Sequence, residues 1–249
     1  MKLLKSTIYI VLGLLLPLMA CEDESSAGLS RVTYFPDFTF NGDELVFVEK
    51  GAAFEDPGVT ATEQGNTINV DVSASGAYFG ETSLDTSKPD IYTVTYAASN
   101  KDGFVGTQER TVIVAGQGDL VTNLEGLYTS TVVRNGVSGA AYTDMEYLII
   151  RKTGDNTYEL SDGIGGYYDY GRGYGPAYAA QPATFTANDI AANDFTFGPT
   201  FGAGLFGGEA QITAMTVNAA TKTINFTSVW EADAVTEYTF KVTLKQVEL

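Results

Sequence analysis

Histidine is absent from all 249 residues, and cysteine occurs once, at Cys21. Without histidine, Ser-His-Asp and Cys-His nucleophile systems are excluded, as are zinc sites built from His and Cys. A single cysteine forms no disulfide within its own chain, so stability must come from packing, and a chain of this length can bury enough core. Any acid–base chemistry would fall to Asp, Glu, Lys or Tyr. Positive charge is scarce as well: 14 Lys and Arg stand against 31 Asp and Glu, a formal charge of −17. Such a surface repels nucleic acid and anionic lipid, which removes both as partners. A sustained helical period is missing after Gly28, so no helix longer than a turn or two is expected there.

The only long apolar run is N-terminal. Lys2 and Lys5 precede an apolar stretch from Ile8 to Leu18, about the length of a secretory signal and short of the roughly 20 residues that span a membrane. It closes on Leu18-Met19-Ala20-Cys21, which resembles the bacterial lipobox; the plainer alternative is an ordinary signal with a cysteine near the cut. The resemblance implies a signal peptide over residues 1–20 and lipidation at Cys21, a membrane anchor that holds firmly only with two or more acyl chains. The acidic tether over residues 21–31 begins Glu22-Asp23-Glu24-Ser25-Ser26. It resembles the export signal of surface lipoproteins in Bacteroidetes-type bacteria, against the alternative of a solvated leash. Both readings put the protein at the outer membrane, lipid-anchored, and the first puts it on the cell surface. Cleavage would remove two lysines and leave 12 bases against 31 acids, a charge of −19.

Beyond the tether the text is β throughout, with Thr, Val, Tyr and Phe in short alternating runs broken by Gly, Asn and Asp. Residues 32–115 read as one domain of about seven short strands, an Ig-like β-sandwich without the Cys-Trp-Cys core of antibody domains. Within it Ile68, Val70 and Val72 alternate with polar residues, as do Tyr92, Val94, Tyr96 and Ala98, each set predicting one buried face. Phe54-Glu55-Asp56-Pro57-Gly58-Val59-Thr60-Ala61, Pro89 to Tyr96, Asn100-Lys101-Asp102-Gly103 and Arg110 to Val114 together resemble a bacterial Ig-like module of surface proteins. That resemblance implies a spacer lifting a working domain off the membrane. Asp56, Asp85 and Asp102 lack the alternating acidic spacing of a calcium loop, so they read as solvated turns, and no metal site or cofactor is expected. Gly116-Gln117-Gly118-Asp119, within a linker over 116–123, reads as a hinge that leaves the orientation of two domains partly free.

Residues 124–249 read as a C-terminal antiparallel β domain. Leu127 to Val133 and Met145 to Ile150 are strand-like; Ile224, Phe226 and Trp230 share a face, as do Tyr238, Phe240, Val242 and Leu244. Val217 to Thr221 reads as a hairpin link. Sequential strands with short links predict a meander, either a lipocalin-like barrel or a jelly-roll-like sandwich.

One stretch breaks the pattern. Residues 161–178 hold five tyrosines, two aspartates, one arginine and six glycines. Tyrosine offers a flat apolar face and a hydroxyl, suited to a sugar ring, and Asp and Arg give directional hydrogen bonds to its hydroxyls. The candidate ligand-binding residues are therefore Asp162, Tyr167, Tyr168, Asp169, Tyr170, Arg172 and Tyr174, with Trp230 as a further platform; no catalytic residue is assigned. The alternative is a twisted connection whose rings pack on the core edge. Phe195 to Gly208, rich in Phe and Gly, would form the opposing loop. Gly126-Leu127-Tyr128, Tyr158 to Asp162, Gly165 to Tyr168 and Tyr174-Gly175 resemble a C-terminal domain of Bacteroidetes surface lipoproteins encoded beside glycan-import systems. This implies an accessory protein that binds a polysaccharide or oligosaccharide near an outer-membrane importer complex. Two other readings remain at this point: a structural or adhesive surface protein, as in a stalk or fimbria, and a glycoside hydrolase using Asp162 with Asp169 or Glu231 with Glu237 as its carboxylate pair.

Overall fold

The structure, a computed structural model, describes residues 32–249; the signal peptide, Cys21 and the acidic tether lie outside the described residues. Seven strands build the first domain: β1 (Asp37–Phe40), β2 (Leu45–Glu49), β3 (Val59–Glu63), β4 (Asn66–Ile68), β5 (Asp71–Gly76), β6 (Asp90–Ser99) and β7 (Val105–Ala115). They form two sheets, β1-β3-β4 and β2-β7-β6-β5, with β2 running parallel to β7 and the other pairs antiparallel. This is the Ig-like sandwich. Strict alternation along β6 buries Tyr92, Val94, Tyr96 and Ala98 against Val112 and Val114 of β7, closed by Phe38, Phe40 and Phe54 from the facing side.

The run Ile68, Val70, Val72 does not share one buried face. The chain leaves the first sheet after Ile68 and joins the second at Asp71, so the alternation resets and Val72 is exposed.

A fully buried Arg110 holds the sandwich shut. Its guanidinium donates to the carboxylate of Asp56 and to the Tyr96 hydroxyl, and its Nε reaches the Asp43 carbonyl at 2.8 Å. Asp56, in the Pro-Gly turn before β3, is thereby used as an internal counter-ion; a buried guanidinium without one would be costly. Asp85 accepts from the Ser87 backbone and hydroxyl, the turn role expected for it.

The second domain comprises β8 (Gly126–Arg134), β9 (Met145–Lys152), β10 (Thr157–Leu160), β11 (Ala180–Gln181), β12 (Ala183–Asp189), β13 (Asp194–Phe197), β14 (Gly202–Ala203), β15 (Glu209–Asn218), β16 (Thr223–Asp233) and β17 (Thr236–Gln246). Eight of them make one antiparallel sheet in the order β13-β12-β10-β9-β8-β17-β16-β15. The sheet curls until its two edges meet: Phe201, after β13, exchanges backbone hydrogen bonds of 2.9 and 2.7 Å with Ala210 of β15, and the Asn193 side chain accepts from Val217 N–H. The result is a nearly closed barrel, which decides between the two architectures left open by the sequence. The short β11–β14 ladder lies beside the closure.

The segment 116–123 is not a hinge. Gly116, Gly118 and Leu120 are buried, Gly118 N–H donates to Glu125 O, and its carbonyl accepts from the Gln246 side chain. Lys50 of the first domain pairs with buried Glu125 at 2.8 Å. Around this connector a mixed apolar cluster joins Phe79, Ile91, Ile113 and Ala115 of the first domain to Leu127, Tyr147, Ile149 and Val247 of the second. Low apolar content in the connector did not mean freedom, because its glycines allow the flanking walls to close on it: a Cβ on Gly116 would meet the Glu125 side chain at 2.6 Å.

Candidate functional site

The Tyr- and Gly-rich stretch 161–178 is a plug that enters the barrel. Ser161 still pairs with Ile149, and then the chain turns inward. Two serines on otherwise apolar inward faces receive it: Ser130 of β8 donates to Gly165 O at 2.8 Å, and Ser228 of β16 donates to Gly163 O at 2.5 Å. Both are buried, and each satisfies a plug carbonyl that no strand partner reaches. The glycines are required by proximity. A Cβ on Gly165, where φ is +76°, would meet Val132 and Val242 at 2.7–2.8 Å, and one on Gly163 would meet the Phe201 ring at 2.5 Å.

The plug determines where each candidate residue goes. Asp162, Tyr167, Tyr168 and Asp169 are buried, Trp230 is 4 % exposed, and Tyr170 is partly buried against the core. These six therefore do not present open faces to a ligand. Arg172 is exposed and Tyr174 is 51 % exposed. The reading of Tyr167, Tyr168 and Tyr170 as contact rings is corrected accordingly, because the barrel had an interior to fill and the nearest aromatic residues filled it. Trp230 likewise packs inward, its Nε1–H donating to Gly207 O at 3.0 Å.

Asp162 accepts the Ile164 N–H at 2.8 Å. Burial pushes its pKa up to about 7, with nearby Asp169 adding to the rise against the opposing pull of backbone N–H groups. Asp169 is raised too, mainly by burial, and accepts the Tyr78 hydroxyl at 2.5 Å; Tyr78 also bonds the Tyr170 hydroxyl at 2.7 Å. Tyr78 comes from the first domain, where the buried carboxylate of Asp90 accepts the backbone N–H groups of Tyr78 and Phe79 and so aims both side chains at the plug and the barrel wall. Phe79 meets Arg151, whose guanidinium lies 3.8 Å from the ring centroid. Neither acid pair considered for hydrolysis spans an open cleft: Asp162 and Asp169 are buried in the plug, and Glu231 and Glu237 face each other across β16 and β17 on exposed positions.

What remains accessible is a rim, formed where β8 ends and β17 begins, at the end of β8 away from Leu127 and the first domain. Here the plug's exit and the turn after β14 bring Tyr174, Tyr178 and Phe206 together, with centroids 4.9–6.1 Å apart, over the buried Tyr168 and Trp230. Phe206 is 44 % and Leu205 72 % exposed, and Val235 stands free in the β16–β17 turn. Of the phenylalanines in the Phe- and Gly-rich stretch only Phe206 joins this ridge; Phe201 is buried, and Phe195 and Phe197 pack against the core. Beside this ridge Tyr142 stacks on Tyr167 at 4.2 Å, and Arg134 donates to the Tyr168 hydroxyl. Tyr142 and Arg134 carry no signal in the sequence and Tyr238 only that of a strand face, because each sits in an ordinary strand or connection and only barrel closure brings them to the rim.

A model described as a bacterial surface protein Ig-like domain matches residues 38–114. A second model, described as a C-terminal domain, matches residues 117–246, just over half of the chain. The crystal structure of the lipoprotein BT2262 from Bacteroides thetaiotaomicron is similar over 85 % of this chain and 100 % of its own, with 29 % identity and a TM-score of 0.61. No curated protein matches the chain significantly.

Proposed function

The chain belongs to the family of that C-terminal domain, within surface proteins of the Bacteroides lipoprotein type, and on that premise we propose that it is a lipid-anchored outer-membrane protein that holds a polysaccharide at the barrel rim as accessory to a glycan importer. The observation that carries the reading is the ridge of Tyr174, Tyr178 and Phe206, a cluster in which Tyr174 and Phe206 are exposed and Tyr178 is partly buried beneath them on a rigid base. Aromatic faces suit the CH face of pyranose rings, and the tyrosine hydroxyls reach the sugar's edge. The plug is the base: Tyr174 N–H bonds Tyr168 O, and Gly175 N–H bonds Asp169 O, so the ridge is tied to buried residues. A ligand meeting a pre-formed ridge loses less ordering entropy than one that must organise a loop.

Affinity electrophoresis of the protein against a panel of soluble polysaccharides tests this. The expected result is retardation by at least one of them, weakened about tenfold or more, roughly 1.4 kcal/mol, in Tyr174→Ala and Phe206→Ala proteins of unchanged melting temperature. Retention of binding in both variants would remove the ridge as the site. A second reading, adhesion to a protein partner, is favoured by the aliphatic end of the same rim, where Leu205 and Val235 (93 %) stand exposed; absence of binding to every glycan together with a rim-dependent protein complex would select it.

A further inference from the structure

Four arginines lie among the described residues. Arg110 pairs with Asp56, and Arg151 with Glu159 at 2.6 Å. Among the described residues Arg134 and Arg172 pair with no carboxylate, in a chain where acids outnumber bases more than twofold. They are also gathered on one ring: the guanidinium carbons of Arg134 and Arg172 lie 4.7 and 5.9 Å from the centroid of Tyr167. Arg134 lies over Tyr238 as well, and Arg172 over Tyr142.

Two cations at one ring repel each other, and the attraction of aromatic faces, on the order of 0.5–2 kcal/mol each, offsets that only in part. The acids of the rim do not relieve it. Asp233 is engaged by the backbone of Val235 and Thr236 and by the Thr236 hydroxyl. Glu231 and Glu237 occupy the strand positions next to inward-packed Trp230 and Tyr238 and so take the opposite, outer face. Each guanidinium has a tyrosine partner, Arg134 the Tyr168 hydroxyl and Arg172 the Tyr167 side chain, but neither has an anion among the described residues; two such cations on one ring beside an accessible aromatic ridge form an arrangement that a bound oxyanion would complete.

We infer that the rim recognises an acidic saccharide, with the oxyanion on the sugar held between Arg134 and Arg172 while its ring lies on Tyr174 and Phe206. This rests on the glycan reading of the same rim and narrows its ligand to one bearing a carboxylate or a sulfate ester. The chain's formal charge of −17 sets a further condition. A polymer with an acid on every sugar, such as nucleic acid, meets repulsion along its whole length, whereas sparse acids on an otherwise neutral saccharide bring a single negative charge to the two arginines.

The experiment is isothermal titration of the protein with three probes: a mostly methyl-esterified polygalacturonate with sparse free carboxylates, a carrageenan with one sulfate ester per disaccharide, and an unsubstituted neutral galactan. The proteins compared are wild type, Arg172→Gln, Arg172→Lys and Tyr174→Ala, each checked for an unchanged melting temperature. Arg172 is exposed, so its loss leaves the fold intact. At least one acidic probe is expected to bind ten times or more tighter than the neutral galactan. Arg172→Gln is expected to erase that preference, Arg172→Lys to keep part of it, and Tyr174→Ala to weaken all binding. Which acidic probe binds identifies the oxyanion. Equal binding of acidic and neutral probes, lost in Tyr174→Ala, would overturn this inference and leave the glycan reading standing; binding of none would overturn both.

Discussion

At the scale of single residues, the buried acids carry the most information. Asp162 is wholly buried, and its pKa is raised to about 7 from an ordinary value of 3.8. The folded state therefore keeps a proton that the unfolded chain releases near pH 4. Asp162 stabilises the fold fully below that pH, and the contribution is lost as pH rises through about 7, on the order of 4 kcal/mol in all. Asp169 and Asp90, also raised by burial, act in the same direction. In urea denaturation, Asp162→Asn is expected to be more stable than wild type at pH 8 and to lose much of the decline between pH 5 and 8. An unaltered pH profile would show that Asp162 is not the group responsible. None of this was legible in the sequence, where Asp162 stood beside glycines and tyrosines as a solvent-facing hydrogen-bonding partner.

Among elements, the plug is the one whose role the tertiary structure reversed. Six glycines and five tyrosines in 18 residues describe equally a flexible binding loop and a chain threaded through a crowded interior. The barrel makes it the latter. Gly165 has both a left-handed backbone and no room for a Cβ between Val132 and Val242. Gly165→Ala is expected to cost about 2–4 kcal/mol, combining left-handed strain with overpacking, as read by chemical denaturation. Gly173→Ala, also at positive φ but with nothing within 4 Å, should show only the strain, about 1–2 kcal/mol. Equal costs at the two positions would argue against the plug being packed. The regular strands were easier: β6, β16 and β17 have the faces their alternation indicated, because in a half-buried strand the pattern is the burial.

For the whole molecule, the two domains behave as one body through a small set of contacts. Asp90 fixes the loop that carries Tyr78 and Phe79, Tyr78 bonds Asp169 inside the plug, and Lys50 pairs with Glu125 across the connector. The Ig-like domain is thus tied to the segment that presents Tyr174, beyond any role as a spacer. Calorimetry of the wild type should show a single transition. In a Tyr78→Phe, Phe79→Ala double variant, loss of the bond to buried Asp169, about 1–3 kcal/mol, and of the apolar contact should split it in two. A single transition in the variant would place the coupling elsewhere, in the connector.

The sequence by itself determined the all-β class, the two domains, the faces of the long strands and the chemistry excluded by missing histidine. These follow from local alternation and composition, which act over a few residues. Barrel closure, the fate of the plug and the pinned connector were decided only in three dimensions. Closing the sheet creates an interior, and whatever segment is near enough and lean enough in side chains must fill it. Tyr167, Tyr168 and Tyr170 were drawn in by that demand; Tyr174, four residues on, was left on the rim with Phe206 and Arg172.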